Sequence, residues 1–101
     1  MIFMNSSIHH IAINVANVST AVNWYKTSFD CEVVYQHPNE ARLKFENIFL
    51  DLLLPSKQPK HIGIQREDAE TLGELREQAG GEMTTMIADP TGNIVEIIKG
   101  E

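Results

Sequence analysis

The chain has one cysteine, Cys31, in 101 residues. That excludes an internal disulfide and any cysteine-rich zinc site, and a cytoplasmic protein is expected. Basic residues are also few: eight Lys and Arg stand against fourteen Asp and Glu, for a net charge of −6. Phosphate recognition relies on clustered Lys and Arg, and here they are scattered, so neither nucleic acid nor an anionic membrane is an expected partner. Long apolar runs are missing too. The longest, Ile48 to Pro55, is interrupted by Asp51 and falls far short of the ~20 residues that a spanning helix needs. Residues Met1 to Ser7 carry no basic region and no extended apolar core, so they do not read as a signal peptide. What remains is one domain, residues 1–101, with 43% apolar residues to fill one ordinary core.

What is present is a repeat. Ile8-His9-His10-Ile11-Ala12-Ile13-Asn14-Val15 returns half a chain later as Lys60-His61-Ile62-Gly63-Ile64-Gln65. Each copy reads His, Ile, small residue, Ile, side-chain amide. Strict alternation argues for a half-buried strand, because successive side chains point to opposite faces. Ile11, Ile13 and Val15 share one face, and His10, Ala12 and Asn14 the other. In the second copy Ile62 and Ile64 oppose His61, Gly63 and Gln65. The same strand is written twice, each time aiming one histidine away from the core.

Taken in order, Val18, Val22, Tyr25 and Phe29 have helical spacing, with Asn17 or Ser19 as N-cap. Residues 31–36 read as a strand and His37 to Glu40 as its turn. Ala41 to Glu46 alternates, with Ala41, Leu43 and Phe45 inward and Arg42 and Lys44 outward. Ile48 to Leu54 follows, with Asp51 on the face opposite Leu50 and Leu52. Pro55 to Pro59 is a linker. Beyond the second histidine strand, Ala69, Leu72, Leu75 and Ala79 make a stripe that predicts a helix over Asp68 to Ala79, stopped by Gly80-Gly81. Glu82 to Ala88 and Ile94 to Lys99 are the last strands, joined by the turn Asp89-Pro90-Thr91-Gly92-Asn93. The class is α+β: a βαβββ module over about 7–54, then a shortened βαββ module over about 60–100.

This pattern resembles the vicinal oxygen chelate superfamily, which includes glyoxalase I, methylmalonyl-CoA epimerase, extradiol dioxygenases and bleomycin-binding proteins. The likeness spans Ile8 to Gly100. It rests on His10-Ile11-Ala12-Ile13, on Trp24-Tyr25, and on Asp89-Pro90-Thr91-Gly92-Asn93-Ile94-Val95-Glu96. It implies paired modules closing into a cupped sheet with helices outside. It also implies metal ligands at His10, Asp51, His61 and Glu96, all of which the alternation already turns away from the apolar faces. Asp51 is one methylene shorter than the Glu usual there. The second module departs from the pattern by leaving room for one strand between Gly81 and Asp89, and an unpaired edge of that kind invites association, so a homodimer is expected.

Two imidazoles with carboxylates suit one divalent transition metal, Zn, Ni, Co, Mn or Fe, better than Mg or Ca. The resemblance implies a metal-dependent lyase or isomerase acting on a small molecule with vicinal oxygens, with Asp51 or Glu96 as the catalytic base. Asn14, Arg42, Lys44, Phe49 and Gln65 are the candidate substrate contacts. His9 and His37 read as structural or exposed. Two alternatives remain open: a metal-free drug-binding protein of the bleomycin-resistance type, and a dioxygenase using a face of two His and one carboxylate.

Overall fold

The structure is a computed structural model that describes residues 5–78 and 80–100. The chain forms two compact units, His10–Lys60, and Met1–His9 together with His61–Glu101. The first unit holds most of β1 (Ser6–Asn14), then α1 (Val18–Ser28), β2 (Glu32–His37), β3 (Glu40–Lys44) and β4 (Phe49–Leu53). Its strands lie in the order β2-β3-β4-β1. β1 runs parallel to β4, while β2 with β3 and β3 with β4 are antiparallel. The unit's first and last strands are therefore neighbours.

α1 starts where expected. The Asn17 side chain accepts the Thr20 amide at 2.8 Å, satisfying one of the free N–H groups of the first turn. Lys26 sits in the last turn, where a cation meets the negative end of the helix. Val18 and Val22 pack on Ala41, Leu43 and Leu52, with Ile13, Val15, Tyr25 and Leu50 around them. The alternation is thus realised: the apolar face of β1, β3 and β4 takes the helix, and the opposite face carries the polar residues.

The second unit holds β5 (His61–Arg66), a 3-10 turn (Ala69–Thr71), β6 (Arg76–Glu77), β7 (Met83–Ala88) and β8 (Ile94–Lys99). Its order, β5-β8-β7-β6, is that of the first unit, again with first and last strands parallel. Two expectations are corrected here. The helix over Asp68 to Ala79 is absent: its start is the 3-10 turn, and its later part holds β6, while Ala79 lies outside the described residues. The module is also not short of a strand, because β6 pairs with Thr84 and Met83 of β7.

The physical reasons are local. Asp68 would have to cap the helix, but its carboxylate takes the Arg66 guanidinium instead, at 2.7 and 2.9 Å, and it makes no side-chain cap bond. That pairing holds the Asp68 carboxyl below the usual aspartate range, chiefly through the Arg66 hydrogen bond. Gly73 adds a helix penalty of ~1 kcal/mol and lies so close to the sheet that a Cβ there would sit 2.6 Å from Thr85 Oγ1. Leu72 bonds back to Ala69 and the 3-10 turn ends. Gly81, at φ 89°, then closes a tight turn in which its amide donates to Gln78. With only the short turn as cover, Ile62 stays 40% exposed.

Candidate metal centre

Each unit places one buried histidine beside one buried carboxylate. In the first, His10 is 1% exposed and Asp51 5%. The parallel register sets Phe49 beside His10 and Asp51 beside Ala12, so the carboxylate reaches back along the ladder, and His10 Nε2 lies 3.7 Å from Asp51 Oδ2. In the second, His61 and Glu96 are both buried, and His61 Nε2 lies 3.6 Å from Glu96 Oε1. The register there pairs Glu96 with Gly63.

Both separations exceed hydrogen-bond length. They approach what a shared ion requires: two donors each ~2.1 Å from a tetrahedral metal are roughly 3.4 Å apart. The donor chemistry, imidazole nitrogen with carboxylate oxygen, is that of a transition-metal site. By spacing and by chemistry, the residues fit a divalent ion.

Asp51 is also gripped by Arg42, with Nε donating to Oδ1 at 2.7 Å and Nη2 to Oδ2 at 2.8 Å. This two-pronged, charge-assisted bond is among the strongest side-chain pairings, and it compensates a buried carboxylate. The guanidinium also lies 5.1 Å from the Phe49 ring centroid and 5.8 Å from that of Tyr35, within cation–π range. Tyr35 in turn stacks on His37 at 5.5 Å, and His37 ends β2 rather than sitting in the turn.

The other candidates fall as follows. Phe49 is half-buried beneath Arg42. Lys44 is exposed at the end of β3. Asn14 spends its amide on backbone groups: Nδ2 donates to Leu53 O and Gln58 O at 3.3 and 3.0 Å, and Oδ1 accepts the Lys60 amide at 3.2 Å. Gln65 lines a pocket of about 570 Å³ in the second unit, with Ser7, His9, Glu82, Ile98 and Gly100. Tyr35 was not among the expected site residues. A bulge between Val33 and Tyr35 moves it onto the Arg42 face, where simple alternation would have set it with Leu43.

No protein-family model and no curated protein matches the sequence. Solved structures do match. A hypothetical protein of Bacillus halodurans superposes with a TM-score of 0.73 at 15% identity, over 97% of this chain and 96% of its own. Methylmalonyl-CoA epimerase of Streptomyces coelicolor, solved with 2-nitronate-propionyl-CoA, gives 0.73 at 20% identity over 94% of each chain. The Mycobacterium tuberculosis epimerase gives 0.70 at 17%, over 90% of this chain and 85% of its own. The fold is therefore that of glyoxalase-like modules.

Proposed function

We propose that the chain is a divalent-metal-dependent enzyme of the vicinal oxygen chelate superfamily, of isomerase or lyase type, acting on a small molecule with neighbouring oxygens. The observation that carries this is the repetition of one arrangement: a buried histidine on the first strand of each unit, within 3.7 Å of a carboxylate on the parallel last strand. A core needs no such pair once, let alone twice, since burying ionisable groups costs stability. The residues that would hold an ion are the histidine and carboxylate of each pair, His10 with Asp51 and His61 with Glu96. Bound there, a divalent metal supplies Lewis-acid polarisation of substrate oxygens.

The protein's own share is binding and proton transfer. Asp51 or Glu96, whichever is not engaged with the ion, is the carboxylate that accepts a proton from the substrate carbon and returns it. Phe49 and Leu53 offer an apolar wall, and Arg42 sets a fixed positive charge on the same face of the sheet. The pocket at Gln65 has a volume within the ~300–1,000 Å³ usual for small-molecule sites.

Elemental analysis of the purified protein, followed by melting with Zn, Ni, Co, Mn or Fe(II), tests this. An ion at a hundred times its Kd adds about 2.7 kcal/mol, which for a domain of this size raises Tm by roughly 10–20 °C. His61→Ala should abolish the increment and His9→Ala should keep it. A wild-type curve that none of the five ions moves overturns the metal reading. The metal-free binding protein then stands in its place, a reading that the Arg42 grip on Asp51 and the Tyr35 and Phe49 rings would favour.

A further inference from the structure

The two units repeat one strand order but cover it differently. In the first, α1 packs over β3 and β4, and Ala41, Leu43 and Leu52 beneath it are 0% exposed. The registers give their counterparts in the second unit. Ile13 pairs with Leu52 as Ile64 pairs with Ile97, so Ala41 and Leu43 on β3 correspond to Thr85 and Ile87 on β7. Ile97 is covered, at 2% exposure, where the 3-10 turn packs on β8 and Gly73 lies against Thr85. Thr85 and Ile87 are only half-buried, so the contrast with the first unit is sharpest over β7. Ile87 stands in one row with Val95 and Ile62 across three strands, and none of the three is fully buried. The row is β-branched, apolar and open at the place that a helix fills in the first unit.

Charge chooses among the occupants such a row could take. Residues 61–101 hold nine Asp and Glu against three Lys and Arg, so this half carries the whole net charge of −6. Two of the three cations are spent locally, Arg66 on Asp68 and Lys99 on Glu70. The connection that crosses this face, where Gly73 meets Thr85, keeps Glu67, Glu74 and Glu77 exposed. A partner seated here meets aliphatic side chains bordered by carboxylates. A second copy fits poorly: among the described residues its only α-helix is α1, which is already packed on its own sheet and carries one cation, Lys26.

We propose that this face of the second unit is a docking site for a basic amphipathic helix of another protein, seated over β7 and β8 as α1 is seated over β3 and β4. Its apolar stripe covers Ile87, Val95 and Ile62, and its Lys and Arg meet the acidic connection. Recognition of this kind reads anchors at i, i+3, i+4 and i+7. The site is independent of the metal reading, because alternation puts Val95 on the side of β8 opposite Glu96.

The probe is a fluorescein-labelled synthetic peptide with leucines at that spacing and lysines elsewhere, and its control has glutamates for the lysines. Anisotropy titration with the full chain should show the lysine peptide binding about tenfold or more tightly than the glutamate one, with the preference shrinking as salt is raised. Ile87→Lys should weaken binding by about tenfold or more, as loss of a central interface residue does. Glu74→Lys with Glu77→Lys changes exposed positions only, should weaken binding several-fold with the melting curve unmoved, and guards against an Ile87 variant that misfolds. Trp24→Ser, which removes an exposed ring of the first unit, should change nothing. A lysine peptide that does not bind, or that binds the Ile87 and Glu74/Glu77 variants as it binds wild type, overturns the site. Loss of binding in Trp24→Ser places the peptide on the first unit and overturns it equally. A glutamate peptide that binds as well refutes the basic occupant. Self-association of the free chain that Ile87→Lys abolishes would put a second copy on this face and refute the partner helix.

Discussion

Asn14 offers the cleanest separation between a residue that reads ligand and one that holds the chain. Its side chain makes three bonds to backbone, two donated and one accepted, joining the end of β1 to Leu53, Gln58 and Lys60. Together they fasten the segment carrying Pro55 and Pro59, in which Lys57 and Gln58 also bond back to Leu54 and Lys57 reaches Glu40 at 3.1 Å. A net hydrogen bond is worth about 0.5–1.5 kcal/mol. The 3.3 Å bond counts least, and water replaces part of the rest because Asn14 is exposed. Asn14→Ala should then cost about 1–2 kcal/mol by that measure, or roughly 5–15 °C in Tm.

Asn14→Asp sharpens the case. It keeps the acceptor for Lys60 but sets a carboxylate against the Leu53 and Gln58 carbonyls, so it should lose at least as much as alanine. Urea unfolding at constant m value measures both. If neither variant moves the midpoint while a small-molecule ligand binds more weakly, Asn14 is a substrate contact and the clamp is not what the residue is for.

Gly73→Ala should destabilise by about 1–3 kcal/mol, the usual cost of overpacking, because the new Cβ would meet Thr85 Oγ1 at 2.6 Å. Thr85→Ala should recover part of that loss in the same denaturation assay. The Asp89 carboxyl is held below its usual range, chiefly by the Asn93 side chain and then by backbone amides of the turn. Its contribution is therefore fully present above the ordinary aspartate pKa of about 3.9 and lost as pH falls through the lower folded value. Asp89→Asn should flatten that acid limb of the stability curve. A homodimer is expected, since among the described residues β6 pairs with Met83 and Thr84 alone of β7 and uncovered edges promote pairing. Light scattering that gives a monomer at micromolar concentration would end that expectation.

Much of the sheet was legible because alternation is a local signal. Leu43 against Arg42, and Leu52 against Asp51, can be sorted by parity alone, and the last strand, Ile94–Lys99, falls where that parity puts it. α1 was legible because one stripe of apolar residues coincided with a capping Asn17. The region after Arg66 misled for an instructive reason. Its stripe is real, yet a carboxylate drawn two residues back to an arginine cannot cap, and a glycine seated against Thr85 suits close approach better than helix. The Arg42 grip on Asp51 was beyond reach in another way. Parity shows that both face the same side, but which residues meet depends on the β3–β4 register, which no single strand encodes. Tyr35 was hidden by the bulge that breaks parity in β2.

The topology also sets an order of events. In each unit the histidine stands on the first strand and the carboxylate on the last, and the two strands become neighbours only as a parallel pair. Asn14 and Leu53, which end the β1–β4 ladder, are 39 residues apart along the chain. Contacts of that span carry the loop-closure cost before they return any stabilisation, and parallel pairs form slowly. Neither pair exists in a chain that has made only its local turns, its helix and its hairpins. On the metal reading proposed above, an ion would not nucleate folding through them and would only trap what has already assembled. Ion uptake, followed in time after dilution from denaturant, would therefore lag helix formation and serve as a clock for the completion of each unit.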